Sequence, residues 1–252
     1  MLLEGYERYI EEQARCFGVS PALHPSDHLF GFLLNHQGFP DHASRISYYF
    51  QDGARSADKL HALLTEFGGK KRPTKLLEFA SGYGCVTRHL VKDETFHINS
   101  CDIHPDAIQF LRNEMQVEAT LSTECPELFN IHERYDVVFA LSFFSHMPIT
   151  TWSRWLVRLI QLAQNGGLVL FTTHGRKSKP LLGNPEVPAS GFWFEPRSEQ
   201  IDLPSEEYGL TITLPHFVTA IIKSIPFARL IAYREAYWWD HQDLYVLLNN
   251  GD

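Results

Sequence analysis

Apolar residues recur every three or four positions at the start of the chain, at Leu3, Tyr6, Ile10, Ala14 and Phe17. That spacing predicts one amphipathic helix over 2–17, stopped by Gly18 and Ser20-Pro21. Two shorter helices are expected at 27–34 and 41–50, after which Gln51-Asp52-Gly53 interrupts the pattern. A fourth is expected over 56–67, with Leu60, Leu63, Leu64 and Phe67 on one face and Gly68-Gly69 as its stop. Residues 1–70 therefore read as a helical N-terminal cap.

Beyond residue 71 the period changes. Short apolar runs at 76–79, 96–101, 118–121, 135–141 and 168–172 predict strands, and helical patterns at 84–91, 105–115 and 152–164 fall between them. Asn165-Gly166-Gly167 reads as a turn before the fifth strand. Such alternation implies an α/β domain over 71–252 with a doubly wound, mostly parallel sheet. The stretch 176–213 holds Pro180, Pro185, Pro188, Pro196 and Pro204, with short β-like pieces at 192–194 and 208–213. It is too long for a tight connector and reads as an inserted lid or substrate segment after the fifth strand. A helix over 214–224 and two closing strands, 227–234 and 244–248, complete a sheet of seven strands ending in an antiparallel hairpin.

Composition narrows the function. With 252 residues the chain has room for one large α/β domain with additions. A formal net charge of −8 argues against a nucleic-acid partner, which needs a basic face. Four cysteines without C-x-x-C spacing fit reduced thiols in the cytosol. No basic segment followed by an apolar stretch opens the chain, and no run approaches the ~20 apolar residues of a bilayer span. A cytoplasmic protein with no membrane partner is expected; oligomeric state is not legible.

The densest chemical signal is Lys75-Leu76-Leu77-Glu78-Phe79-Ala80-Ser81-Gly82-Tyr83-Gly84, an apolar run with an acid that passes into a small-residue loop. Against the dinucleotide fingerprint G-x-G-x-x-G, Gly82 and Gly84 fit but the third position is Thr87. Glu78 would also repel a pyrophosphate. The same carboxylate suits a cofactor bearing an ammonium group and a sulfonium centre.

Glu78-x-Ala80-x-Gly82-x-Gly84 resembles the E/D-x-G-x-G-x-G loop of class I S-adenosylmethionine-dependent methyltransferases, with Ala80 at the first glycine. Cys101-Asp102-Ile103, Tyr135-Asp136-Val137-Val138 and Leu162-Ala163-Gln164-Asn165-Gly166-Gly167 are similar to later motifs of that family, in the same order. The resemblance implies a Rossmann-like fold and S-adenosylmethionine as cofactor. It places Glu78, Ala80, Ser81 and Gly82 near the methionyl group, with Gly84 completing the loop, and gives Asp102 the ribose hydroxyls. Ile103, Thr123 and Ala140 are implied around the rest of the cofactor, and Tyr49 and Gly53 in an aromatic N-terminal segment folded over it. Asp102 as a loop carboxylate, Thr123 as a capping residue and Tyr48-Tyr49-Phe50 as core are the structural alternatives.

Catalysis is sought at the carboxyl ends of the parallel strands, where open α/β sheets bind ligands. His146 follows the fourth strand, His174 the fifth, and His241 the start of the last, so the three converge if that strand runs antiparallel to the fifth. His146 is the first candidate for a base taking a proton from a hydroxyl acceptor, and His174 the second. Histidines that only hydrogen-bond their loops are the alternative. No local H-x-x-x-H or H-x-H spacing around these three points to a metal. The expected activity is methylation of a small or medium-sized polar molecule, at oxygen rather than nitrogen. A non-catalytic cofactor-binding protein and a nicotinamide-dependent oxidoreductase are the competing readings.

Overall fold

The computed structural model describes residues 5–68, 74–197, 200 and 202–251. Its elements in chain order are α1 (Glu7–Phe17), α2 (His28–Asn35), α3 (His42–Phe67), β1 (Thr74–Phe79), α4 (Thr87–Leu90), β2 (Phe96–Asp102), α5 (Pro105–Glu114), β3 (Glu118–Leu121), β4 (Tyr135–Ala140), α6 (Ile149–Leu162) and β5 (Ala163–His174). A 3-10 segment, Arg176–Leu182, then leads to β6 (Phe192–Glu195), β7 (Leu210–Thr213), α7 (Pro215–Ser224), β8 (Ala228–Trp238) and β9 (Gln242–Asn249). The chain forms two compact units, Met1–Pro73 with Ser81–Leu121, and Thr74–Ala80 with Ser122–Asp252. The expected cap thus shares a unit with α4, β2, α5 and β3. The expected boundary at 70/71 lies outside the described residues.

In the first unit β2 and β3 pair in parallel, with Asn99 opposite Glu118 and Asp102 opposite Leu121. The two helices expected on either side of Gln51-Asp52-Gly53 are one 26-residue helix, α3. A helical glycine is unfavourable by about 1 kcal/mol relative to alanine, but tertiary packing overrides that propensity here. A Cβ on Gly53 would stand 2.1 Å from the carbonyl oxygen of Cys85 and 2.8 Å from the His89 ring. The helix expected over 84–91 is only the short α4, because Gly84 has φ 79°, outside the helical region.

Beneath α4 lies a buried polar network. Arg88, 1% exposed, donates through Nε to the carbonyl of Gly84 and through Nη1 to the carbonyls of Ser20 and Ala22. Its other terminal nitrogen reaches the Tyr49 hydroxyl at 3.2 Å, and that hydroxyl donates to Asp27 at 2.7 Å. Asp27 also caps α2 by accepting from the amide of Phe30. Burial raises the Asp27 pKa even with these partners present.

The second unit is built outward from β4 and β5. β1 pairs in parallel with β4, and β4 with β5. β9 runs antiparallel along β5 from Leu168 opposite Leu248 to His174 opposite Gln242, and β8 closes the hairpin on β9. The glycine turn expected at 165–167 is absorbed into β5 as an irregularity, since the register slips between Tyr135–Ala163 and Val137–Leu168. The segment 176–213 contributes strands of its own: β6 and β7 pair antiparallel, and β7 meets β5 in parallel at His174–Ile212. β9 occupies one edge of β5, so β7 lies on the other, past the point where β4 ends. β6 and β7 are thus two strands beyond the seven expected for the chain. Its core includes Phe79 against Phe129, Phe143 and Trp155, with Phe144 packed between Trp152 and Phe171.

Gly53→Ala should destabilise the protein by about 1–3 kcal/mol, as overpacking does. At an exposed helical glycine the same change would stabilise by about 1 kcal/mol, so the sign in a urea titration tests the packing assigned to Gly53.

Candidate active site

In the first unit the loop after β1 is tied to the end of β2. Ser81 donates to the carbonyl of Cys101 through its amide at 3.0 Å and its hydroxyl at 3.3 Å. The amide of Gly82 donates to Asp102 Oδ2 at 2.8 Å. Asp102 Oδ1 receives the amide of His104 at 3.1 Å and faces the Nδ1 of the same ring at 2.7 Å. A carboxylate offers about four lone-pair directions; three are engaged among the described residues. Asp102 is thus a loop-organising carboxylate as well as a candidate ribose acceptor. Ser81 and Gly82 are partly exposed, and a Cβ on Gly82 would meet nothing within 4 Å, which leaves open space beside the backbone. Ile103 is part-buried.

Three residues assigned to the cofactor by resemblance have packing roles in the structure. Tyr49 is fully buried, with its hydroxyl held between Asp27 and Arg88. Gly53 provides the close approach to Cys85 described above. Gly84 is buried, and a Cβ there would stand 2.9 Å from Leu111. All three are buried and packed among the described residues.

In the second unit β1, β4 and β5 end side by side, with Phe79 opposite Ala140 and Ala140 opposite Phe171. Glu78 is buried near the end of β1, and Ala140 is fully buried at the end of β4. Ala80 has φ 57°, the left-handed region, where a Cβ is unfavourable by about 1–2 kcal/mol. Ala80 thus takes the conformation that glycine, the usual residue at this place in the motif, adopts freely. Thr123 donates its hydroxyl to the carbonyl of Cys125 at 2.7 Å, a turn-capping role.

The loop after β4 is also held in a left-handed conformation, at Ser142, φ 57°. A buried relay fixes it. The Ser142 amide donates to Thr172 Oγ1, Thr172 donates to Gln242 Oε1, and Gln242 Nε2 returns to Ser142 Oγ at 2.9 Å. Ser145 donates to the Ser142 carbonyl at 2.7 Å. These bonds join the ends of β4 and β5 to the start of β9, and they set the direction in which His146 leaves the loop.

His146, His174 and His241 converge as the strand directions require. Ring centroids are 6.1 Å apart from His146 to His174 and 5.7 Å from His174 to His241. His146 Nδ1 lies 2.9 Å from the carbonyl oxygen of Gly209. A carbonyl only accepts, so Nδ1 carries the proton and Nε2 presents the lone pair. His241 Nδ1 meets Ser178 Oγ at 3.1 Å, while the Ser178 proton goes to the His241 carbonyl. His174 is 7% exposed, and its Nδ1 has no hydrogen-bond partner among the described residues. Burial lowers the pKa of His146 to about 4 and that of His174 to about 3, the latter helped by the two neighbouring imidazoles. Burial also lowers that of His241. All three rings are therefore neutral at neutral pH.

Asp243 flanks this row. It is fully buried, accepts from the Tyr233 hydroxyl at 3.0 Å and the Ala236 amide at 2.9 Å, and has its pKa raised by burial. A Cβ on Gly175 would stand 2.2 Å from its carboxyl group, so glycine after His174 lets the strand end pass Asp243. Trp238 packs against Phe139 in the core, and Trp239 stacks beside His241.

The most informative residues outside the expected set are Tyr208 and Gly209. The Tyr208 ring lies 4.5 Å from that of His146 at an interplanar angle of 5°. No local motif marks them, since the pairing joins 209–211 to 145–147 across the whole of β5.

Residues 77–169 match the methyltransferase domain family. No curated protein matches the chain in sequence. Among solved structures, an S-adenosylmethionine-dependent methyltransferase from Clostridium acetobutylicum superposes with a TM-score of 0.58 at 12% identity, over 77% of this chain and 91% of that one. A 1,6-didemethyltoxoflavin-N1-methyltransferase from Burkholderia thailandensis, holding 1,6-didemethyltoxoflavin and S-adenosylhomocysteine, gives 0.56 at 11% identity, over 91% and 93%. Magnesium protoporphyrin IX methyltransferase from Synechocystis, with bound S-adenosylmethionine, gives 0.56 at 11%, over 89% and 92%. At these identities the likeness is one of fold.

Two outcomes follow from the site. Ala80→Gly should stabilise the protein by about 1 kcal/mol, because it relieves the left-handed alanine; chemical denaturation reads the sign. The depressed histidine pKa values make stability fall as pH drops from about 6.5 toward 4. In that window the unfolded chain binds protons that the folded one does not. Urea midpoints measured from pH 8 down to 4.5 should decline less steeply in His174→Gln than in the parent.

Proposed function

We propose that this chain is a class I S-adenosylmethionine-dependent methyltransferase, a reading supported by the family match over residues 77–169 and by the shared fold, and that it methylates a small or medium-sized polar acceptor at oxygen, with His146 as the base. The observation that carries the reading is the His146 Nδ1 contact with the Gly209 carbonyl, which leaves Nε2 as the acceptor nitrogen at the carboxyl end of β4. S-adenosylmethionine supplies the methyl group on a sulfonium centre. Glu78, Ala80, Ser81 and Gly82 are assigned to its methionyl end, and Asp102 to the ribose. Ile103, Thr123 and Ala140 are assigned to the adenosine surroundings. The open space beside Gly82 and the position of Asp102 against the Gly82 amide support that fit.

A hydroxyl acceptor must lose its proton as the new bond forms, whereas a neutral amine attacks with its own lone pair. A histidine that is neutral at working pH is ready to accept that proton, and its low pKa favours transfer during methyl movement over complete deprotonation beforehand. His174, buried behind it, is assigned a supporting role. Nitrogen as the acceptor atom is the second reading, favoured by the fold neighbour that is a 1,6-didemethyltoxoflavin-N1-methyltransferase. The net charge of −8 supports a small molecule over nucleic acid, and the free cysteines support a reducing, cytoplasmic setting. Among the described residues no helix is long and apolar enough to cross a membrane.

S-adenosylmethionine or S-adenosylhomocysteine at 100 times its Kd should stabilise the protein by about 2.7 kcal/mol, while NADH should leave its melting unchanged. Turnover on a panel of hydroxyl and amine acceptors, followed by mass spectrometry, should give O-methyl products. His146→Ala should still bind S-adenosylhomocysteine and lose roughly 10²–10⁴-fold in kcat. Full turnover in that variant removes His146 as the base.

A further inference from the structure

We infer that Tyr208 is a positioning residue for His146: its ring, stacked flat on the imidazole, acts with the carbonyl of Gly209 to hold the histidine so that Nε2 is presented. The inference rests on the base assigned above and extends the active site into the inserted segment 176–213.

Three observations lead to it. The first is the stack, with centroids 4.5 Å apart and planes within 5°. Rotation of the imidazole about its bond to the chain would drive an edge into the tyrosine face, so the stack restricts the ring to one plane. The second is the contact between His146 Nδ1 and the Gly209 oxygen at 2.9 Å, which selects the tautomer. A plane from one residue and a proton position from the next leave the imidazole with a single orientation.

The third is that the donor segment is itself fixed. The Gly209 amide donates to the His146 carbonyl at 2.9 Å, and the Thr211 amide to the Ser145 carbonyl at 2.8 Å. Thr211 Oγ1 donates to the Met147 carbonyl at 2.6 Å. On the far side Gly209 is pinned against β6, since a Cβ would stand 2.3 Å from the Glu195 carbonyl and 2.7 Å from the Phe194 ring. The Tyr208 hydroxyl is reached by Gln200 Nε2 at 3.4 Å, so the phenol tip is held while the ring face lies on His146. A loop that merely covered a site would need none of these ties to the catalytic strand. Cover from the tyrosine face also keeps water off the imidazole, in keeping with its low pKa.

The test uses the full chain with Tyr208→Phe and Tyr208→Leu. Nitrogen-15 spectra of the histidine rings, with His146 assigned by its loss in His146→Gln, report tautomer and titration without turnover. The parent and Tyr208→Phe should show one tautomer, protonated at Nδ1. Tyr208→Leu should show mixed tautomers and a titration moved upward toward 6.5. In steady-state kinetics Tyr208→Leu should lose roughly 10- to 100-fold in kcat with KM for S-adenosylmethionine changed by less than about twofold, and the acid limb of its kcat profile should rise in step. Tyr208→Phe should restore both. Should the leucine variant not fold, Tyr208→Met gives the same reading. Unchanged ring signals in Tyr208→Leu, or a phenylalanine variant as impaired as the leucine one, overturn the positioning role. Full turnover in His146→Gln overturns the base, and with it the catalytic consequence drawn here, while the nitrogen spectra still decide the positioning.

Discussion

Strand β5 has two edges, and three strands pair with it. Every backbone amide and carbonyl along a buried strand needs a partner, and β9 satisfies one edge from Leu168 to His174. β4 satisfies the other only as far as Phe171, opposite Ala140. The last residues of β5 are left for β7, which pairs at His174. Once β7 sits there, its neighbouring residues fall beside the loop that has just left β4. That one requirement draws residues 145–147, 174, 208–211 and 241–242 together from four distant parts of the chain.

The polar groups gathered there follow from the same constraint. A chain that turns sharply at Ser142 leaves amides and carbonyls to be paired, and the buried Thr172, Gln242 and Ser145 supply short hydrogen bonds there. The imidazoles of His146 and His174 are kept uncharged by the same burial. Neutrality is then a property of the place. It suits the base role proposed for His146, in which a proton is received only while a bond is forming.

Much of this was legible in the sequence because strongly apolar runs and their bounding turns encode strands locally. The runs at 76–79, 135–141 and 168–172 became β1, β4 and β5, and the directions of the fifth and last strands correctly brought three histidines to one edge. What escaped was long-range. Gly53 looks like a helix break until its contact with Cys85 is known, and Ala80 looks permissive until its φ is known. The resemblance that put Tyr49 over the cofactor could not register that Arg88 and Asp27 claim its hydroxyl. Tyr208 opens a stretch that reads as β-like, but nothing local marks it as part of a site, because what makes it informative is His146, a partner distant in the chain.

The guanidinium of Arg88 has a bearing on how this protein can be rebuilt. It fastens the carbonyl of Gly84, in the glycine loop, to the carbonyls of Ser20 and Ala22 and to Tyr49. A lysine has one nitrogen and cannot span those four acceptors, so the conservative exchange is not available at this position. The loop and the N-terminal segment are in that sense one module, although more than 60 residues separate them. Grafting a loop from a protein of the same fold into this scaffold, or this loop into another, requires carrying residues 20–22, 27 and 49 along with it; a transplant bounded by the visible motif would strand a buried cation.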